Sequence, residues 1–491
     1  MLRSGHGVAG TSKQRRCRSG RPERIGRSLT PGGPSASRQL FALATPIALT
    51  QLAQVALTTV DIVMIAALGV EALAAGGLAI VLFNQVRTVG VGLITAAGNR
   101  VASIAAQEED GALSEDAERG VRDVVRASLV LATAAGVVGA VLMVASGHAL
   151  TWLGQDHAVV DRAQPMLLAL APGLLPCLWF NALRQYTVGM RRPRALVWIT
   201  VVCIVVNAAL NGVLGFGLWI FPRLELVGIG LATTLTHLLS FLLLCAAVNR
   251  DPLLARMLSL RAWLASPKTV RRLAALGVPI AATYGSEAGF FSVVALIMGG
   301  FGAAALAAHT VVNQLVYIVF QITIGLSHGA SIIVSREIAR GRIAAAAGVG
   351  RLALVNGAAV MGVPALLYLI GPELVLRPFM DVSDPADARA VDLATQLLAV
   401  AALLQFADCA QNIGVGLLRG LDDTQAGFRA TVLGYWAVGL PLALLLGPVA
   451  DLGPVAVWVG LMAGLATTAV LLLTRFVQVL RRAAALPEPA G

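Results

Sequence analysis

Twelve apolar runs, each long enough to cross a bilayer, constrain this chain more than any other feature. Bounded by charge, Gly or Pro, they fall near residues 42–68, 73–98, 121–147, 163–188, 195–220, 226–248, 273–299, 303–334, 347–370, 390–418, 427–449 and 454–479. A hydrocarbon layer about 30 Å thick takes about 20 apolar residues in helical form. The chain therefore reads as an all-α polytopic membrane protein. Its 57% apolar and 13% charged composition agrees, since soluble domains carry about 25% charge. The loops between runs are short and leave no room for a separate soluble domain.

A net charge of +11 in a soluble protein would suggest nucleic acid as a partner. The distribution points to a membrane instead, with no nucleic-acid partner. With the N-terminus placed in the cytoplasm, the basic residues fall on the cytoplasmic side or at its helix ends, apart from Arg87, Arg162, Arg223, Arg377 and Arg389. That is the positive-inside bias, and it predicts cytoplasmic N- and C-termini and an even number of spans in the plasma (inner) membrane. Residues 1–38, rich in Arg, Gly and Ser, are expected to form a disordered basic tail. Residues 249–271 read as an inter-lobe linker and 482–491 as a C-terminal tail. Four of the five cysteines lie inside spans without CxxC or His-paired spacing, so neither a disulfide framework nor a metal site is indicated.

The chain repeats itself. "ALATPIALT" at 42–50 recurs as "ALGVPIAAT" at 275–283, and "EALAAGG" at 71–77 as "AALAAHT" at 304–310. Both pairs hold one offset without a gap, and Asn181 to Gly189 matches Asn412 to Gly420 further along. Chance similarity between Ala-rich helices would not keep register. Six spans per copy is even, so both copies enter the membrane the same way round. This predicts two six-helix bundles, 39–248 and 272–481, related by a pseudo-twofold axis along the membrane normal and facing a midplane cavity suited to alternating access.

Of 26 acidic residues, only Asp61, Glu287 and Asp408 lie well inside spans. A charge near a helix centre costs about 2.5–3.5 kcal/mol on insertion scales, so such groups face a cavity or a partner. Their repeat counterparts are Val294, Gln54 and Cys177, so the acids are not scaffold shared by both bundles. Asn207 and Asn211 stand at i,i+4 on one helix face, and Thr233 in the next span adds a hydroxyl. Such oxygen ligands around Asp61 suit a hard cation such as Na⁺, while burial of the carboxyl equally suits proton uptake. In the second bundle Asp408 and Asn412 are i,i+4, with Gln405 one turn earlier. Gln54, Asn181, Gln405 and Asn412 are candidate cavity residues, and Na⁺ has candidate sites at Asp61 or at Glu287/Asp408. Arg87, mid-way along the second span, is expected to pair with a carboxylate or to snorkel along its stem, a structural role ahead of a substrate one; His309 reads as packed. Pro172, Pro176 and Pro441 are expected bend points.

Three stretches carry a family resemblance: "PIALTQLAQVALTTVDIVMIAALGVEALAAGGLA" at 46–79, "GSEAGFFSVVALIMGGFGAAALAAHTVVNQL" at 285–315, and "NIGVGLLRGLDDTQAGFRATVLGYWAVGLPLALLLG" at 412–447. They resemble the multidrug and toxic compound extrusion (MATE) family, over roughly residues 39–480. The resemblance implies two six-helix bundles in a V, exporting organic cations in exchange for H⁺ or Na⁺. It places the family's first-helix aspartate on Asp61. The acids of helices seven and ten in the NorM-type branch fall on Glu287 and Asp408. Another branch has Asp where this chain has Asn211, which points to the NorM-type branch.

The chain has two lysines, Lys13 and Lys268, neither in a GxxxxGK[ST] loop. It also lacks HExxH. An enzyme or ATP-driven pump is therefore not expected, and an ion gradient is the energy source left within this chain, with no cofactor beyond the coupling ion. The expected function is a secondary antiporter for organic cations, acting as a monomer. A flippase for lipid-linked oligosaccharides of the same superfamily is the alternative; it would want a basic cavity, whereas three intramembrane acids are set against one Arg.

Overall fold

The computed structural model describes residues 34–107, 113–149, 157–218, 222–380 and 388–485. Of the segments read as tails, 1–33 and 486–491 lie outside the described residues. The first helix begins at Pro34 and the last ends at Ala485, so helix extends into both.

Among the described residues, twelve helices are long and apolar enough to cross a membrane. They are α1 (Ser37–Ala66), α2 (Ala75–Ala106), α3 (Glu115–Ser146), α4 (Val160–Gly189), α5 (Arg194–Gly215), α6 (Glu225–Arg250), α7 (Pro267–Gly300), α8 (Ala304–Ala339), α9 (Ile343–Ile370), α10 (Ala388–Gly420), α11 (Thr424–Val449) and α12 (Pro454–Ala485). Their apolar side chains divide between lipid-facing exposure, as at Val141, Val205 and Leu296, and interior packing. The protein is a multi-pass membrane protein.

The duplication read from sequence reappears in backbone angles. Gly69 and Gly302 precede α2 and α8 with φ of 112° and 101°. Arg191 and Asp422, at the turns after α4 and α10, have φ of 58° and 59°. In those turns Arg192 N donates to Thr187 O at 2.8 Å and Asp423 N to Leu418 O at 2.9 Å. These pairs keep the offsets of the sequence matches, so the two halves share turn geometry as well as residues.

Packing defines two lobes, α1–α6 and α7–α12. On the side where the chain enters and leaves, one core runs through both. It includes Leu40, Val101, Val188 and Leu196 of the first lobe with Leu273, Val334, Leu417 and Leu480 of the second. On the opposite side the cores separate. Ile65, Met143, Ala163 and Ile229 pack within the first lobe, and Met298, Ala305, Tyr368 and Val457 within the second. The lobes thus join at one face and part at the other, as a V. Polar bonds stitch the joined half: Asn99 Nδ2 donates to Ser331 Oγ and to Arg419 O, each at 2.9 Å, and Arg100 pairs with Asp422 at 3.3 Å.

The inter-lobe linker holds a short helix, Pro252–Met257, and packs on the first lobe. Asp251 caps that helix by accepting from Leu253 N and Leu254 N, and takes a third bond from Arg192 at 2.8 Å. Burial alone would push the Asp251 carboxyl up, but these three bonds outweigh it and hold its pKa below the ordinary value. Pro172 sits in a 3-10 turn, Ala171–Gly173, that interrupts α4. Pro176 follows in the next helical turn, and Pro441 lies between two π-helical stretches of α11. The expected bends therefore coincide with breaks in α-helical hydrogen bonding.

Candidate functional site

Asp61 lies on α1 in the half where the lobes part, and is only 4% exposed. Both carboxylate oxygens are held. Asn211 Nδ2 donates to Oδ1 at 2.7 Å, and Thr233 Oγ1 lies 2.9 Å from Oδ2. Asn211 Nδ2 is also 3.3 Å from Asn207 Oδ1. The i,i+4 asparagines and Thr233, expected around Asp61, therefore gather there.

Two local features aim them. Asn211 opens a π-helical turn, Asn211–Gly215, that widens the end of α5; such turns re-aim side chains locally. α6 then presses on this turn through Gly228, where a Cβ would sit 2.2 Å from Leu214 O. That close approach brings Thr233 to the carboxylate.

The cluster is rich in acceptors. Besides the Asp61 oxygens, Asn211 Oδ1 is buried without a hydrogen-bond partner, and so is Asn207 Nδ2 among donors. Buried polar groups normally find partners. An orphan amide oxygen beside a carboxylate suits a small cation or a proton on the acid. Asp61 also borders a small cavity lined by Gln54, Thr58, Asn84, Arg87 and His237 among others. Thr58, Thr200, Thr236 and Ser240 line it too, and each gives its hydroxyl proton to a carbonyl of its own helix. Their oxygens are left with lone pairs, which reinforces the acceptor character. Phe83 stacks on His237 with centroids 5.6 Å apart, giving the chamber an aromatic wall.

Arg87 corrects the sequence reading. Its bonds run to amides rather than to a carboxylate: Nη1 to Gln54 Oε1 at 2.8 Å and Nε to Asn84 Oδ1 at 3.2 Å. Gln54 therefore lines the cavity as expected, with its oxygen engaged. Asn181 behaves otherwise: it is buried and gives Nδ2 to Cys177 O at 2.8 Å, within its own helix. It does not line this cavity.

In the second lobe Tyr435 links the helical turns that follow Glu287 and Asp408. Asp408 is buried and accepts from Asn412 Nδ2 at 3.1 Å. Tyr435 donates to Gln411 Oε1 at 2.7 Å, and Phe290, one turn beyond Glu287, stacks on Tyr435 at 4.8 Å. Gln405 donates to Met361 O at 3.2 Å and leaves Oε1 buried without a partner. His309 is packed, accepting from Trp458 Nε1 at 3.2 Å.

Two residues escaped the sequence reading. Arg184 on α4 and Arg419 on α10 read as helix-end charges, yet they are 4% and 3% exposed inside the helices. Arg184 Nη1 donates to Gln51 Oε1 at 2.8 Å. Arg419 lies 3.2 Å from His328 Nε2 and 3.4 Å from Tyr284 Oη. Buried charge within the helices is therefore not confined to the three acids and Arg87: Arg184, Arg419 and, on α8, Glu337 at 4% exposure belong with them. The signal available was position: Arg184 lies inside the apolar run 163–188, and Arg419 directly follows the run 390–418, each just before a charged turn.

Fold and site together define a two-lobe membrane carrier with a polar chamber in the parted half of its first lobe. The MatE family model matches residues 46–213 and again 279–445, so each lobe carries one copy. The chain belongs to the MatE family. It is 36% identical over 435 residues to a probable multidrug resistance protein NorM of Pseudomonas aeruginosa, covering 88% of this chain and 87% of that one. It is also 36% identical over 445 residues to a protein of the same description from Bradyrhizobium diazoefficiens, covering 90% and 94%. Among solved structures, a eukaryotic MATE transporter superposes with a TM-score of 0.78 at 18% identity, over 91% of this chain and 98% of that one. An outward-facing multidrug resistance MATE family transporter of the MOP superfamily gives 0.80 at 17%, over 92% and 97%.

Proposed function

We propose that this protein is a multidrug efflux antiporter that exports organic cations in exchange for H⁺ or Na⁺. Family membership and relatives described as multidrug resistance proteins support export of small organic compounds. The observation that carries the coupling role is Asp61: a carboxylate with both oxygens held by Asn211 and Thr233, an orphan amide oxygen beside it, and a chamber at its side. In this reading Asp61, Asn207, Asn211 and Thr233 hold the coupling cation in the parted state. Glu287 and Asp408, with Gln405 and Asn412, form a second cation-attracting region. Ion and solute favour different arrangements of the lobes, and exchange follows from that difference alone. A charge crossing 100 mV carries about 2.3 kcal/mol, enough to drive accumulation. The protein works as a monomer in the plasma membrane, with both termini in the cytoplasm.

Ethidium transport in everted vesicles tests this, with pH and sodium gradients imposed separately. One gradient should drive transport, and Asp61→Asn should abolish it. Undiminished gradient-driven transport by the variant would refute the coupling role.

A further inference from the structure

The first-lobe chamber is lined by Arg87, and Arg184 is buried just beyond its wall; among the described residues no carboxylate answers either guanidinium. Arg87 spends Nη1 on Gln54 and Nε on Asn84, and Arg184 spends Nη1 on Gln51. All three acceptors are neutral amide oxygens. Among the described residues neither arginine has an ion pair. Gln51 and Gln54 stand one turn apart on α1, so a single helix face holds both guanidiniums. Arg184 is one turn beyond Phe180, a residue of the chamber wall. Asp61 lies two turns further along α1 from Gln54, about 10 Å away.

Two like charges held side by side under a membrane chamber are unfavourable unless something neutralises them. Their planar forks leave N–H donors over, and this geometry matches a carboxylate or a similarly sized monoanion. Asparagine and glutamine oxygens orient the forks without cancelling their charge. Carboxylates in place of Gln51 and Gln54 would have closed the site; amides keep it open.

We propose that Arg87 and Arg184 form an anion subsite at the end of the first-lobe chamber opposite Asp61, which takes a carboxylate-sized monoanion. The anion is either a carboxylate on the transported solute or a free anion from solution. The inference rests on reading this chamber as the solute chamber, and it adds a group of opposite sign to the cation site.

Equilibrium binding of radiolabelled benzoate to the purified full chain in lipid nanodiscs, in low-salt buffer, tests it. Saturable binding is expected, with Arg87→Gln and Arg184→Gln each weakening it about tenfold or more, and Arg87→Lys restoring part of it. Displacement by millimolar chloride would make the occupant a free solution anion. Displacement by carboxylates alone would make it a solute carboxylate. Both results support the subsite. Absence of saturable benzoate and chloride binding, or equal binding by wild type and Arg87→Gln, overturns it. Gel filtration identifies an Arg184→Gln protein that has not folded, and half-buried Arg87 then carries the test. Binding needs no gradient, so failure of antiport leaves this measurement intact.

Discussion

Gly277→Ala should force the joined half of the V open. Gly277 lies on α7 of the second lobe, against α2 of the first. A Cβ there would sit 1.9 Å from Leu93 O, 2.8 Å from Leu93 C and 3.0 Å from Leu93 Cα. Ordinary carbon contacts begin at about 3.5 Å, so the helices must part by roughly 1.5 Å. Every obstructing atom is backbone, and no side-chain end can swing aside. Ala in a helix is favoured over Gly by about 1 kcal/mol, whereas overpacking that moves backbone costs about 1–3 kcal/mol. The clash should win. Because Leu93 belongs to the other lobe, the cost falls on the joined state, and 1–3 kcal/mol corresponds to a population shift of about 5- to 150-fold. Asn99 and Ser331 report that state, with their side chains bonded across the interface at 2.9 Å. In a chain with its native cysteines replaced, a Cys pair at these positions should cross-link readily, and Gly277→Ala should slow the reaction at least fivefold. Gly362, with nothing within 4 Å of an added Cβ, is the control, and Gly362→Ala should leave the rate unchanged. Unaltered cross-linking in Gly277→Ala would show that the helix contact is not what holds the lobes together.

Asn211→Ala should lower stability by about 1–3 kcal/mol, since it strips a buried carboxylate of its 2.7 Å donor. Asn207→Ala, whose Nδ2 has no partner to lose, should cost less; thermal unfolding of the two variants checks the order. Tyr435→Phe strands the Gln411 oxygen now bonded at 2.7 Å, and should cost a comparable amount in the same assay. Asp251 sets an acid limit. Its folded pKa lies below the ordinary 3.8, so its contribution is fully present above that value and is lost as pH falls through the depressed one. Asp251→Asn should therefore lower the unfolding midpoint at neutral pH and flatten its fall in acid; parallel curves for the two proteins would contradict this.

What could be read from sequence follows from which forces are local. Spans are set by continuous apolar length, so twelve were legible, and the duplication kept its register down to the paired angles at Gly69 and Gly302. The Asp61 cluster was legible because Asn207 and Asn211 share a face and membrane burial demands partners for an acid. The arginines were not. Arg184 and Arg419 sit beside charged turns, where a basic residue ordinarily snorkels to the surface. Their burial depends on how the lobes meet, which no local pattern encodes. Arg87 was seen, but its amide partner Gln54 belongs to another helix, and composition alone favours pairing an arginine with an acid. The π-helical turn at Asn211 was invisible for a related reason: its residues suit an ordinary α-helix, and packing against Leu224 to Gly228 widens it.

In the proposed cycle Asp61 holds a cation that solute binding drives off. Its most direct test is ion release on adding saturating ethidium to the purified protein in weakly buffered nanodiscs. H⁺ is followed with a pH indicator and bound radiosodium by its loss. The wild type should release one of these ions and Asp61→Asn neither. Ethidium binding with neither ion released, or release persisting undiminished in the variant, would contradict it.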